Sequence, residues 1–173
     1  MERCAKLVDV GRRQFLRSGA MAAASAATVS VLPQQAKAAP AKARVEYPSN
    51  RLANAKDLKV NEPLDVFYPD QDAPGVLLRL GKRVEGGVGP DGDIVGFTTI
   101  CPHKGFPLAY VGEDRTFNCP GHYSRFDPER GGQQIWGQAT QNLPQYTLRV
   151  DDSGDIYAEG VDELLYGRLS NVL

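Results

Sequence analysis

Two short stretches of this chain decide what it folds into, CPHKGFPL at residues 101–108 and CPGHYSRFD at residues 119–127. Each contains one cysteine and one histidine, and these four residues are Cys101, His103, Cys119 and His122. The short spacing inside each stretch allows one turn of backbone to present two metal-ligating side chains to the same centre. The two stretches, called here the first loop (101–108) and the second loop (119–127), therefore predict a shared metal site.

Two kinds of metal centre use two cysteines and two histidines. One is a structural zinc ion held in a tetrahedron. The other is a [2Fe–2S] cluster in which the cysteines bind one iron and the histidines bind the other. Zinc fingers usually group cysteine with cysteine and histidine with histidine, whereas each loop here contributes one of each. The pattern favours the cluster, and a zinc-stabilised binding module without a redox role stays open as the alternative.

The sequences Cys-Pro-His-Lys-Gly and Cys-Pro-Gly-His-Tyr-Ser resemble the two cluster-binding sequences of the Rieske iron–sulfur family. The resemblance implies one [2Fe–2S] cluster per chain. It assigns Cys101 and Cys119 to the buried iron, and His103 and His122 to the outer iron near the tip of the domain. It also implies an all-β fold, an antiparallel sandwich or barrel with a smaller cluster-binding subdomain.

Five further residues of the two loops bear on the cluster. We expect Gly105 to allow a tight turn. By the resemblance, the Ser124 hydroxyl donates to a bridging sulfide, which raises the reduction potential; a plain surface turn is the alternative. Respiratory members carry a tyrosine, which donates to a cysteine sulfur, where this chain has Phe126, and two disulfide-forming cysteines where it has Phe106 and Gly121. We therefore expect no disulfide and an intermediate potential.

Residues 64–160 have the pattern of a small β domain, with short apolar segments separated by turn sequences. The candidate strands are Leu64–Tyr68, Val76–Leu80, Ile94–Thr99, Arg115–Asn118, Gln145–Val150 and Asp155–Ala158. Pro-Asp-Gly-Asp and Asp-Ser-Gly-Asp are typical of hairpin turns, because glycine supplies the positive φ that such turns need. Many short strands at this spacing predict an antiparallel sandwich or barrel.

The segments on either side of this domain carry weaker signals. Residues 39–63 are rich in Pro, Ala and Lys and predict an extended arm. Within residues 161–173, four apolar residues lie at helical spacing and predict a short C-terminal helix. These four are Val161, Leu164, Leu165 and Leu169. The arm and the tail could each dock a partner or pack on the domain itself.

Residues 1–38 have the order of an export signal. Arg12 and Arg13 form a twin-arginine pattern, residues 18–32 are apolar and small, and Ala36-Lys37-Ala38 supplies a cleavage site. We therefore expect a Tat signal peptide that is cleaved after export to the periplasm. Retention of the segment as a membrane anchor is the alternative.

Composition excludes several classes of function. A chain of 173 residues with net charge −1, 42% hydrophobic and 24% charged, is an ordinary globular protein without the basic surface that nucleic-acid binding needs. Cys4 lies in the predicted signal, so two cysteines and two histidines remain for the mature chain. A Rieske oxygenase subunit would need further histidines for a second iron. That class is excluded by counting.

An exported Rieske protein of this size resembles the small subunits of arsenite oxidases. The resemblance implies a heterodimer with a large molybdopterin subunit that carries a [3Fe–4S] cluster and oxidises arsenite to arsenate. Electrons would pass through this chain to a periplasmic c-type cytochrome or a cupredoxin. On this interpretation the chain is the electron-transfer subunit of an oxidoreductase and has no catalytic residue. The alternative is an anchored Rieske subunit of a respiratory bc-type complex acting on quinol.

Overall fold

The computed structural model describes residues 46–172 of the chain. These residues contain ten strands, which form three antiparallel sheets. The strands are β1 (Asn50–Asn54), β2 (Leu64–Phe67), β3 (Pro74–Arg79), β4 (Ile94–Thr98), β5 (Ala109–Val111), β6 (Thr116–Asn118), β7 (Arg125–Asp127), β8 (Gln133–Trp136), β9 (Tyr146–Val150) and β10 (Asp155–Val161). The sheet orders are β1-β10-β9, β2-β3-β4 and β5-β6-β7-β8. The described helices are two single 3₁₀ turns, Ala55–Asp57 and Pro128–Arg130. Within residues 46–172 no helix is long and apolar enough to cross a membrane. The predicted signal peptide, residues 1–38, lies outside the described residues.

The sheet β2-β3-β4 lies between two hydrophobic cores. Leu77 of β3 and Ile94 of β4 belong to one core, which they share with β1, β9 and β10. Val76 and Leu78 of β3 belong to the other core, which contains the cysteines of both loops. Successive side chains of a strand point to opposite faces, so a strand between two cores is apolar along most of its length. The sequence PGVLLR of β3 meets this requirement.

The all-β antiparallel fold and the six predicted strands are confirmed, with ends that differ by a few residues. The sequence did not predict β1, β5, β7 and β8. Strand β1 lies within the predicted arm and pairs with β10, so this part of the arm belongs to the domain. Strands β5 and β7 have only three residues each, and β8 is mostly exposed, so none shows a clear alternation. Strands β5 and β7 pair with the two sides of β6, and β8 pairs with β7, so each forms against a neighbouring strand of the same sheet.

The predicted C-terminal helix is wrong. Val161 is the last residue of β10, and residues 162–172, called here the C-terminal tail, form turns and irregular backbone. Of the predicted apolar face, Leu165 is buried but Leu164 and Leu169 are exposed. Gly167 has a φ of 79°, which interrupts a right-handed helix. In place of helical hydrogen bonds, the Leu165 N–H donates to the Asn171 side chain and Arg168 donates to Asp70.

Candidate metal centre

The first loop leaves the buried end of β4 and returns into β5. Within it, the Cys101 N–H donates to the Phe106 carbonyl at 2.8 Å, and the Gly105 N–H donates to the Cys101 carbonyl at 2.9 Å. Gly105 has a φ of 71°, in the left-handed region that glycine adopts without strain. The tight turn expected at Gly105 is therefore present, between Cys101 and Phe106.

The second loop, which joins β6 to β7, repeats this backbone pattern. The Cys119 N–H donates to the Ser124 carbonyl at 2.8 Å, and the Tyr123 N–H donates to the Cys119 carbonyl at 3.0 Å. Tyr123 has a φ of 61° and so takes the place that Gly105 has in the first loop. A non-glycine residue with this φ is uncommon. The two loops are thus two copies of one turn, each beginning at a cysteine.

The two cysteines lie inside the core that also contains Val76 and Leu78 of the sheet β2-β3-β4. Cys101 is 0% exposed and Cys119 is 2% exposed. Burial raises the pKa of the Cys101 thiol, while backbone N–H groups of His103 and Lys104 act in the opposite direction. Those N–H groups point at the sulfur and would stabilise it as a metal-bound thiolate.

The two histidines lie on the outer side of the loops, with His103 half-buried and His122 exposed. Their ring centroids are 4.8 Å apart and the rings are nearly perpendicular, so the two imidazoles are in edge-to-face contact. The Nδ1 atom of His103 is buried and has no hydrogen-bond partner. A buried polar atom without a partner is costly, and a metal ligand bond at this nitrogen removes the cost.

The donor set therefore fits a [2Fe–2S] cluster, with a buried thiol pair and an outward imidazole pair. Among residues 46–172, no three His, Cys, Asp or Glu side chains lie close enough together to hold a single metal ion. When bound, the cluster supplies one-electron redox chemistry. Cys101 and Cys119 would hold it on the core side, and His103 and His122 would hold it on the solvent side.

Ser124 is fully buried beside this site, so it is not a surface turn residue. Its Oγ accepts hydrogen bonds from the backbone N–H groups of Gln138 at 3.1 Å and Ala139 at 2.9 Å. Two bonds accepted by the oxygen leave the hydroxyl hydrogen free to donate elsewhere. Its expected role as a donor to a cluster sulfide stays a prediction, and the geometry is compatible with it.

Phe106 and Gly121, the two positions where respiratory members carry disulfide-forming cysteines, are in direct contact. A Cβ placed on Gly121 would lie 2.8 Å from two ring atoms of Phe106, so the ring lies where a larger residue would reach. The same ring packs edge-on to His122, with centroids 5.6 Å apart. An aromatic contact therefore joins the two loops here. Phe126 is fully buried on β7 and has no hydroxyl to offer a sulfur.

Two residues that contact the loops, Tyr166 and Gly137, were not predicted from the sequence. The ring of Tyr166 packs on Gly105, because a Cβ on Gly105 would lie 2.5 Å from its Cε1 atom. Gly137 lies so close to the backbone of Ser124 that a Cβ would not fit. Gly167, next to Tyr166, was a signal against the predicted helix. No local sequence pattern predicts the contact between Tyr166 and Gly105.

Fold and site together define an iron–sulfur protein with mixed thiol and imidazole ligands. The family model for the Rieske [2Fe-2S] domain matches residues 49–147, more than half of the chain. This chain belongs to the Rieske [2Fe–2S] domain family, and its cofactor is a [2Fe–2S] cluster.

Known relatives are similar along nearly the whole chain. Iodate reductase subunit IdrB of Denitromonas iodatirespirans is 39% identical over 165 residues, which cover 94% of this chain and 86% of that protein. The subunit of the same name from Pseudomonas sp. (strain SCT) is 40% identical over 161 residues, covering 91% and 82%. The soluble domain of the Rieske protein II (soxF) from Sulfolobus acidocaldarius has a TM-score of 0.63 and 23% identity, covering 73% of this chain and 85% of that one. That structure shares the fold.

Proposed function

We propose that this chain is the electron-transfer subunit of a heteromeric oxidoreductase that acts on an inorganic oxyanion. The observation that carries the proposal is the polarity of the site, with the cysteines inside the core and the histidines toward solvent. Electron transfer is fastest over the shortest distance through protein, so the edge of His103 and His122 is the port for electrons. The chain itself makes and breaks no substrate bond.

The catalytic partner in this proposal is a large subunit that carries molybdopterin and a [3Fe–4S] cluster. Two observations support a separate catalytic chain. The protein has only two histidines, and both belong to the candidate cluster site. The relatives that are similar over more than nine-tenths of this chain are themselves named as subunits of a reductase.

The first candidate substrate is arsenite. Oxidation to arsenate at the partner would release two electrons, which would leave one at a time through this cluster to a c-type cytochrome or a cupredoxin. The resemblance of the whole chain to arsenite oxidase small subunits supports this direction of flow. The second candidate is iodate, favoured by the names of the two relatives, and electrons would then run from this cluster to the partner.

Opposite electron flow allows one experiment to separate the two substrates. The complex would be purified with the large subunit, which we expect the neighbouring reading frame to encode. We expect arsenite to reduce the oxidised cluster, seen as the appearance of a Rieske signal in electron paramagnetic resonance (EPR). Loss of that signal when iodate is added to the reduced complex would favour iodate instead. A reduced protein without any Rieske signal would contradict the electron-transfer role and favour the zinc-stabilised module.

We also propose that the complex works in the periplasm after Tat export. The twin arginines and the Ala36-Lys37-Ala38 site support this location. Sequencing the protein from a periplasmic fraction should give an N-terminus near Ala39. A periplasmic protein that still begins at Met1 would contradict cleavage. Recovery only in a detergent extract with b- and c-type cytochromes would favour the bc-type alternative.

A further inference from the structure

The C-terminal tail reaches the first loop at one point. The ring of Tyr166 lies against Gly105, and a Cβ on Gly105 would approach the Cε1 and Cδ1 atoms to 2.5 and 2.7 Å. Gly105 follows His103 by two residues and donates its N–H to the Cys101 carbonyl. The ring therefore packs on the turn that places both ligands of the first loop.

The tail is irregular, so its position depends on its contacts with the rest of the domain. Arg168 donates to both carboxylate oxygens of Asp70 at 2.5 and 2.7 Å. The buried Asn171 side chain accepts from the Leu165 N–H at 2.8 Å and donates to the Tyr47 hydroxyl at 2.9 Å. These bonds lie on both sides of Tyr166 in sequence and hold the backbone that carries its ring, which is 45% exposed.

The second loop is held in a different way at the equivalent position. There Ser124 accepts two backbone N–H groups from residues 138 and 139. The first loop has Phe106 at the same point of the repeated turn, and a phenyl ring accepts no comparable hydrogen bonds. The first loop therefore lacks this pair of hydrogen bonds, and the Tyr166 ring packs on the residue just before Phe106 in the turn, Gly105.

We propose that Tyr166 is a positioning residue for the cluster. Its ring holds the turn at Gly105 and thereby keeps Cys101 and His103 in ligating position, and the pair of Arg168 with Asp70 holds the ring. The proposal rests on cluster binding by the two loops and is independent of the catalytic partner and its substrate.

The direct test compares Tyr166→Ala with Tyr166→Phe in the cluster-loaded full chain. We measure the rate at which a strong iron chelator removes iron, and the EPR spectrum of the reduced cluster. Loss of an aromatic packing contact should accelerate iron release roughly two- to tenfold in the alanine variant. The phenylalanine variant keeps the ring and should match the wild type. Leu169→Ala, at a fully exposed position of the same tail, is the control.

A remote variant tests how the ring is held. Asp70→Asn removes the charge that pairs with Arg168 and should also accelerate iron release. Glu159→Gln removes a comparable exposed pair with Arg149 and should not. If Asp70 acts through Tyr166, the double variant Asp70→Asn, Tyr166→Ala should release iron no faster than Tyr166→Ala alone. If Tyr166→Ala does not fold, Tyr166→Leu and Asp70→Asn carry the test. Wild-type rates in these variants, or equal acceleration in the two controls, would overturn the proposal.

Discussion

Ser124 joins the second loop to the backbone of residues 138 and 139. Its oxygen accepts two backbone N–H groups, and its hydroxyl hydrogen is left free. The residue is fully buried, so each of these partners would lose a hydrogen bond if the hydroxyl were removed. Ser124 therefore supports the fold through its oxygen, and its hydroxyl hydrogen is the one that we predict donates to the cluster.

Ser124→Ala should lower the reduction potential of the cluster. A hydrogen bond to a charged sulfide contributes about 1.5–3 kcal/mol, on the order of 60–130 mV for one electron. Voltammetry of the loaded protein measures the shift. Ser124→Thr keeps a hydroxyl and is the matched control. An unchanged potential in the alanine variant would show that the hydroxyl does not donate to the cluster.

Phe126→Tyr should raise the potential. Phe126 is fully buried in the same core as Cys101 and Cys119, and a hydroxyl at the ring tip would add a donor to a cysteine sulfur. One neutral hydrogen bond contributes about 1 kcal/mol, on the order of 40 mV. The same voltammetry tests it. If the potential stays constant while stability falls, the new hydroxyl is buried without a partner.

At the scale of elements, Glu129 joins segments that are distant in sequence. The carboxylate, in the 3₁₀ turn after β7, pairs with Lys82 at 2.7 Å and with Arg115 at 3.2 Å. Lys82 lies between β3 and β4, and Arg115 precedes β6. The hydrogen bond from Lys82, with that from Arg115, lowers the pKa of Glu129 despite some desolvation. These pairs connect the sheet β2-β3-β4 with the sheet β5-β6-β7-β8, whose strands the two loops adjoin.

Glu129→Gln should therefore destabilise the protein in a pH-dependent way. A carboxyl with a lowered folded pKa stabilises the fold above its unfolded pKa, about 4.3, and this contribution is lost as pH falls through the folded value. We expect a loss of about 0.5 kcal/mol at pH 7, where exposed pairs are partly screened, and none near pH 3. Denaturant unfolding at both pH values measures it. An equal loss at the two pH values would contradict the ionic origin.

At the scale of the whole molecule, the cluster is expected to stabilise one sheet more than the others. Both loops begin at a cysteine that lies in the core with Val76 and Leu78. The other core, which β1, β9 and β10 share, contains no candidate ligand. Binding free energy adds to folding free energy only where the ligands belong to the folded state. Loss of the cluster should therefore lower the stability of the core that contains the cysteines more than that of the other core.

Removal of iron should lower the melting temperature and loosen the loops first. We expect faster amide hydrogen exchange at residues 101–108 and 119–127 in the iron-free protein, and little change in β9 and β10. Hydrogen exchange by mass spectrometry, before and after chelation, measures both regions. Uniform loss of protection over all three sheets would show a single cooperative unit instead.

The sequence by itself was sufficient to predict the four candidate ligands and six of the ten described strands, and it has Phe106 and Gly121 where a disulfide would need cysteines. These features are local: ligand pairs two or three residues apart, apolar runs between turn residues, and the identities of Phe106 and Gly121. Backbone geometry over a few residues determines them, so no distant contact was needed.

Only the tertiary structure decided how the segments outside those patterns behave. Part of the expected arm became β1 because β10 offered an edge to pair with. The expected C-terminal helix did not form, because Asn171 bonds to Tyr47, Arg168 bonds to Asp70 and Leu165 packs in the core, contacts with other segments that a helix would not provide. The same contacts bring Tyr166 onto Gly105, far away in sequence. Such contacts join residues that are distant in sequence and depend on how the whole chain packs. Local periodicity in the sequence therefore does not predict them.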